Sequence, residues 1–308
     1  MRLIRIFAVA ALLTAPAAPG RAADLTPLFP DDAWMVVGIN AKGLHESPLG
    51  RKVFGKDDRY TAARKLLAAL GNENGVDLLK ALAPCEPVLN RVTQVTAVAP
   101  PSGQLRGTVV FLEGDFGDDT LARAIEGVCK QQKMPYKTEK AGGRTVHVAG
   151  DGESVHRVVR LDKTTVAVLF TATAVSDLLD RHAGKKASKA PKVVVEGVRA
   201  IDPAATPVWM VVGENRVNNQ VDYTRMVATV SVGADATLRV RMEAPDEAAA
   251  GRCKETLDLF AKIFSLVKDK RLMKELGVSS RVEKTGTTAT ATASLSGKSL
   301  TEEYAEQK

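Results

Sequence analysis

Short apolar runs separated by turn residues fill the first part of the chain and predict a series of β-strands. Strands are expected at 33–39, 92–99, 105–113, 144–149, 155–161 and 164–171. Apolar residues at three- and four-residue spacing predict helices over 61–83, after Asp118 or Asp119, and over 174–182. Glycines and asparagines at 71–75 divide the first of these stretches into two helices.

The last third of the chain shows the same mixture of elements. Hairpins are predicted by 224–232 with 237–243 and by 280–284 with 287–295. A long helix is expected from about Asp246, and its apolar stripe comprises Cys253, Leu257, Phe260, Phe264 and Val267. The segment 193–201 is ambiguous. Its β-branched residues suggest a strand, but its position just before another apolar strand favours a helix.

One apolar segment occurs twice. Residues 34–40 and 209–215 agree at six of seven positions, lie 175 residues apart and contain the only two tryptophans of the chain. A second match, between 139–142 and 283–286, follows in the same order. The repeated order predicts an internal duplication. The alternative is a chance match of one apolar strand.

Hairpins followed by a covering helix and further strands predict an α+β fold. We expect two duplicated halves of antiparallel sheet, each covered by helices on one face, of the split βαβ or ferredoxin-like type. The first repeat would span 23–187, with its extra helices at about 61–83, and the shorter second repeat would span 188–308.

The first 22 residues have the three-part pattern of a secretory signal peptide. A basic start is followed by an apolar run at 6–13 and by small residues up to Ala22, after which we expect cleavage. The alternative is a buried N-terminal helix. Export predicts a periplasmic or extracellular protein, and after signal cleavage no stretch is long and apolar enough for a transmembrane segment.

Charge and aromatic content narrow the classes of partner. The chain has a net charge of +7, of which Arg2, Arg5 and Arg21 belong to the signal segment, so the mature excess is a mild +4. This excess does not indicate a nucleic-acid partner. Aromatic residues make up only 5% of the chain, which disfavours a surface built on stacking against bases or sugars.

Three cysteines, Cys85, Cys129 and Cys253, allow one disulfide and one remaining thiol in an exported protein. A Cys85–Cys129 bridge is one possibility, because both residues lie in the first half. The other is three small buried thiols.

The sequence contains no phosphate loop, no nucleophile elbow and no zinc-binding spacing. His147 and His156, with Asp151 or Asp162, would make a weak metal site on adjacent strands. An acidic group, Glu113, Asp115, Asp118 and Asp119, is a candidate for a cation, but its spacing does not fit a calcium loop. Residues 285–292 would present a row of hydroxyls along one strand face. We therefore assign no catalytic, cofactor-binding or metal residue and expect no cofactor.

Several short segments together resemble a known group of proteins. These are the signal peptide, 28–34 at the start of the mature chain, 45–49 after the first strand, 112–116, and 201–204 before the second tryptophan strand. The set is similar to uncharacterised exported protein families of planctomycete-type bacteria. The resemblance implies an exported, duplicated α+β protein and carries no assigned activity.

The function expected from these observations is that of a non-catalytic binding or scaffold protein. Its partner would be an unknown component of the cell envelope. The alternative is an exported hydrolase with its site in the cleft between the two halves.

Overall fold

A computed structural model describes residues 24–54, 57, 61, 83–101, 107–117, 119–152, 155–170, 175–217, 220–266 and 279–296. The predicted signal peptide and most of the predicted helical stretch at 61–83 lie outside the described residues.

Strands account for most of the regular structure in the part of the chain that is described. They are β1 Met35–Asn40, β2 Val92–Ala99, β3 Val109–Gly114, β4 Tyr136–Ala141, β5 Arg144–Ala149, β6 His156–Arg160, β7 Thr165–Phe170, β8 Val208–Val212, β9 Asn215–Val217, β10 Gln220–Tyr223, β11 Arg225–Val232, β12 Ala236–Glu243, β13 Ser279–Thr285 and β14 Thr288–Leu295. In the described residues the α-helices are α1 Ala41–Glu46, α2 Pro48–Phe54, α3 Glu86–Leu89, α4 Thr120–Gln131, α5 Val175–His182, α6 Lys192–Arg199 and α7 Glu247–Leu266. Short 3₁₀ turns lie at Thr26–Leu28 and Ala83–Cys85.

Twelve of the described strands form one sheet in the order β13-β14-β12-β11-β8-β1-β2-β3-β7-β6-β5-β4, and β9 pairs with β10 separately. Every neighbouring pair in the large sheet is antiparallel. The fold is therefore α+β with a large antiparallel sheet and helices, as the sequence predicts. β1 and β8, which carry the repeated segment, lie side by side near the middle.

Helices cover both faces of the first half of the sheet, so the expectation that they lie on one face is wrong there. The front face, which bears Val36 and Phe111, packs against the N-terminal turn, α5 and α6. The back face, which bears Val95 and Leu112, packs against α3 and α4. Strands β3 and β7 are apolar on both sides because each side is buried, as in a sheet enclosed between two layers.

In the second half, α7 packs on the back face. Ala249, Ala250, Cys253 and Leu257 of the helix meet Met242 of β12. The predicted apolar stripe is wrong at Phe260, which is 55% exposed. Phe264 and Val267 lie outside the side chains that the structure describes. Among the described side chains, those of the helix that pack against the sheet lie between Ala249 and Leu257.

Other predictions are confirmed or corrected by the positions of the elements. The segment 193–201 contains helix α6, which was the preferred interpretation. Helix α4 begins after Asp119, whose side chain makes no capping hydrogen bond. Strand β4 was not predicted, because its sequence is polar and its residues are half-buried or exposed at the edge of the sheet.

Candidate functional site

The two copies of the repeated segment pair with each other at the centre of the sheet. In the β1–β8 register, Val36 lies opposite Val211, and Gly38 lies opposite Trp209. The backbone N–H of Gly213 donates to the Trp34 carbonyl at 2.7 Å. Each tryptophan therefore faces the glycine of the other copy.

The Trp209 indole lies across β1 because Gly38 has no side chain. A Cβ atom at Gly38 would be 2.0 Å from both Cε2 and Cζ2 of Trp209. The indole is 3% exposed, and its Nε1 has no hydrogen-bond partner among the described residues. The Nε1 of Trp34, by contrast, donates to the Glu214 carbonyl at 2.8 Å.

Two further polar side chains stand beside the indole on the front face. Thr96 of β2 is the neighbour of Gly38 on the side away from Trp209, and Gln94 lies two residues further along the strand. Thr96 is 2% exposed, and its hydroxyl has no hydrogen-bond partner among the described residues. Buried polar groups are normally hydrogen-bonded, so the Trp209 N–H and the Thr96 hydroxyl are exceptions that call for an explanation.

These side chains line a cavity of about 530 Å³, which we call the front cavity. Its floor is the sheet, and its walls come from the N-terminal segment and from the end of α6 with the loop that follows. The lining residues are Asp24, Leu25, Phe29, Gln94, Thr96, Val198, Arg199, Ile201, Pro203 and Trp209. Apolar side chains predominate and a few polar groups converge, which is the usual composition of a small-molecule site.

An ion pair joins the two walls. Arg199 donates from Nε and Nη2 to Asp24 Oδ2 at 3.1 and 2.9 Å. Burial raises the pKa of the Asp24 carboxyl, but hydrogen bonds from Thr26 and Arg199 outweigh it and hold the pKa below its ordinary value. Both charged side chains are more than half exposed, so the pair adds little stability.

The chemistry of the front cavity is that of hydrogen bonding in apolar surroundings. An indole N–H only donates, whereas the Thr96 hydroxyl and the Gln94 amide both donate and accept. A buried donor without an acceptor costs about 1–3 kcal/mol. An oxygen atom of a ligand, placed near Trp209 and Thr96, would recover that cost. The described lining residues do not include the serine or cysteine beside a histidine that acyl transfer needs.

The predicted histidine metal site does not form. The Nδ1 of His147 is 2.9 Å from the Tyr136 hydroxyl, and His156 packs edge-on against Phe170. Asp162 faces His182 instead, with 3.6 Å between the carboxylate and Nε2. Among the described residues no three histidine, cysteine or acidic side chains gather as a metal site would require.

The predicted acidic group is also dispersed. Glu113 is buried in β3 opposite Gln94, whereas Asp115 is exposed and accepts a hydrogen bond from the Gly117 backbone. Asp119 precedes α4, and Asp118 lies outside the described residues.

The three cysteines are free thiols, so the considered Cys85–Cys129 bridge is absent. The Cys85 Sγ is directed at the Ala124 carbonyl, 3.9 Å away. The Cys253 Sγ lies 3.2 Å from the Asp222 carbonyl. Desolvation, with a smaller contribution from Cys129, raises the pKa of Cys85 to about 12.

The predicted row of hydroxyls is present on β14. Thr290, Thr292 and Ser294 line a shallow groove of about 280 Å³ with residues of β13.

Sequence reasoning did not identify Gln94, Thr96 or Trp209 as site residues. One feature of the sequence pointed to Trp209, because the repeated segment places a glycine at the same distance after each tryptophan. Nothing local distinguishes Thr96 from any other threonine in a strand.

Comparison with known proteins shows the fold and nothing further. No protein family and no curated protein match the chain. A solved structure described as "Structure of crystal form III of TP0453" is similar, with a TM-score of 0.51 and 9% sequence identity. The similarity covers 91% of this chain and 97% of that chain. In the described part of the chain, no helix has the length and apolar character needed to cross a membrane.

Proposed function

We propose that the protein is an exported, non-catalytic binding protein of the cell envelope. Its ligand in the front cavity is a small, largely apolar molecule that carries a hydrogen-bond acceptor. The observation that carries this proposal is the buried Trp209 N–H beside the buried Thr96 hydroxyl, both without a protein partner among the described residues. The hydrolase alternative would need a nucleophile and a base in this cavity, and the described lining favours binding instead.

The walls of the cavity support a largely apolar ligand. Phe29, Ile201 and the Trp209 ring provide flat and branched apolar surface, and burial of such surface contributes about 25 cal/mol for each Å². The acceptor is the specific element, because it is the only part of such a ligand that Trp209 can hydrogen-bond.

We also propose that the chain arose by duplication of an α+β unit. The register supports this, because Val36 and Val211, which occupy the same position in the two copies, lie directly opposite each other. A local two-fold axis through this pair would exchange Trp34 with Trp209. The copies have diverged at the indole N–H, since Trp34 donates to the Glu214 carbonyl whereas the Trp209 N–H has no partner among the described residues.

Export rests on the predicted signal peptide at residues 1–22 and on the resemblance to exported families. Amino-terminal sequencing of the protein secreted by a bacterial host tests it. Cleavage after Ala22 is expected, and a chain that begins at Met1 in the cytoplasm would contradict it.

Calorimetric titration with matched probes tests the binding proposal. The probes are 2-acetylnaphthalene, which carries a carbonyl acceptor, and 2-isopropylnaphthalene, which has a similar shape without one. We expect the ketone to bind about tenfold more tightly, because one recovered hydrogen bond is worth about 1–1.5 kcal/mol. Trp209→Phe should reduce this ratio to less than about threefold.

Trp34→Phe is the matched control, because its indole N–H already has a protein acceptor. It should leave the ketone preference unchanged. Equal affinity for the two probes in the parent protein, or equal effects of the two substitutions, would overturn the proposal. So would the absence of binding to both probes.

A further inference from the structure

A second cavity, of about 430 Å³, lies on the back face and is independent of the front cavity. We call it the back cavity. One side is lined by residues of two strands, which are Arg144, Thr145 and His147 of β5 and Arg160 of β6. The other side is the first turn of α4, which contributes Leu121 and Ala122.

Both arginines are held by neutral carbonyl groups. Arg144 donates from Nη1 to the Arg160 carbonyl at 3.1 Å, and Arg160 donates from Nη1 to the Phe116 carbonyl at 2.7 Å. A guanidinium has five N–H donors, so each arginine retains donors after this anchoring. Neither arginine forms an ion pair with a described carboxylate.

A third cation contacts Thr145, one of the lining residues. Lys140 donates from Nζ to Thr145 Oγ1 at 2.7 Å. The Thr145 oxygen is thereby an acceptor, and its own O–H remains available as a donor toward the cavity. Lys140 likewise has no ion pair with a described carboxylate.

Acidic groups do not balance these charges. Asp119 is the one carboxylate among the described residues that line the back cavity, and it is exposed. The pKa of the His147 imidazole lies below its ordinary value. Desolvation is the larger cause, and the positive charge of Arg160 is the smaller one. Two arginines that line one cavity with a single carboxylate, and a lysine bonded to the hydroxyl of a third lining residue, are the composition of an anion site.

We propose that the back cavity binds a phosphate, sulfate or carboxylate group through Arg144, Arg160, Lys140 and the Thr145 hydroxyl. A single arginine can bind such an oxyanion through two parallel N–H donors. The volume exceeds that of a free oxyanion, and Leu121 and Ala122 provide apolar surface for an attached group. The ligand class is therefore a small organic anion or its inorganic head group.

Nuclear magnetic resonance of the His147 imidazole in the full chain tests this proposal. The protein is titrated at constant ionic strength with inorganic phosphate and with phenyl phosphate, and chloride serves as the reference anion. Bound anion should raise the His147 titration midpoint and give a saturable shift. Tighter binding of phenyl phosphate would identify a head group on a larger molecule, and equal affinities would identify the free anion.

Variants distinguish a site from general charge screening. Arg160→Gln and Arg144→Gln should each weaken phosphate binding about tenfold. Arg160→Lys should recover part of the affinity, because it restores the charge without the fork geometry. Asp119→Asn should tighten binding, because it removes the nearby carboxylate.

Arg239→Gln is the control, since Arg239 is an exposed arginine of β12 without an ion pair among the described residues. It should leave phosphate affinity unchanged. An unmoved His147 resonance in the folded parent protein would overturn the proposal. Equal effects of Arg160→Gln and Arg239→Gln would do the same.

Discussion

Gly38 is the position where a single methyl group tests the packing of the central strands. In Gly38→Ala the new Cβ would lie 2.0 Å from two ring carbons of Trp209. Carbon atoms pack at about 3.5–4.0 Å, so the indole has to move by about 1.5 Å. Its ring is 3% exposed and packed against the sheet, so this movement disturbs its contacts.

The expected cost follows from two opposing effects. Overpacking around a buried side chain costs about 1–3 kcal/mol, and a rigid ring places Gly38→Ala at the upper end. Replacement of glycine by alanine in a strand returns about 0.5–1 kcal/mol through the unfolded chain. The net loss is about 2 kcal/mol, which corresponds to about 4–8 °C in Tm for a protein of this size.

Gly213→Ala is the matched control, because Gly213 occupies the same position in the other copy. Its Cβ would lie 3.1 Å from Val194 Cγ2 and 3.3 Å from Trp34 Cδ1. These contacts are tight but require only a small adjustment, so the net effect should be within about 0.5 kcal/mol.

Urea unfolding followed by circular dichroism measures both variants, and a double-mutant cycle identifies the cause. In a Trp209→Ala background, Gly38→Ala should become neutral or stabilising, because the clashing atoms are gone. Equal costs for Gly38→Ala and Gly213→Ala would refute the packing argument. A cost for Gly38→Ala that persists without the indole would refute it as well.

Three further substitutions have expected outcomes. Asp31→Asn removes the carboxylate that pairs with the buried Arg181 at 2.9 Å, and because Asp31 is 41% exposed we expect a loss of only about 1–2 kcal/mol in urea unfolding. Thr96→Val should leave stability unchanged or raise it by about 1 kcal/mol, because it removes an unpaired buried hydroxyl. The same variant should still weaken ketone binding, and a destabilised Thr96→Val protein with unchanged binding would contradict this. Desolvation lowers the His147 pKa in the folded state, so the unfolded state binds more protons and stability should fall as pH drops below about 6.5. His147→Gln should flatten this fall when unfolding is measured at successive pH values, and an unchanged slope would show that His147 does not contribute.

The sequence predicted strands and helices well where apolar residues are buried on a regular period. Helix α5 is an example, because a helix was predicted over 174–182 and its Val175, Leu178 and Leu179 are buried. The pattern of apolar residues did not predict the structure correctly where side chains are exposed or where their burial depends on elements distant in sequence. Strand β4 is held at the sheet edge by backbone pairing with β5, and Phe260 is exposed although it continues the apolar stripe of α7.

The candidate site was harder to predict than the fold because it depends on long-range register. Thr96 and Trp209 are 113 residues apart in sequence, and only the pairing of both strands with β1 brings them to one cavity. The same register leaves Trp209 without an acceptor among the described residues, while Trp34 finds the Glu214 carbonyl. Two nearly identical sequence segments thus acquire different chemistry from what surrounds them.

Nuclear magnetic resonance tests most directly whether Trp209 donates its indole N–H to a ligand in the front cavity. With two tryptophans in the chain, a ¹H–¹⁵N spectrum contains two indole signals, and Trp34→Phe identifies which belongs to Trp209. Addition of 2-acetylnaphthalene should move the Trp209 signal downfield and leave the Trp34 signal in place. A ligand that binds while the Trp209 indole signal does not move, or moves no more than the Trp34 signal, would contradict the account.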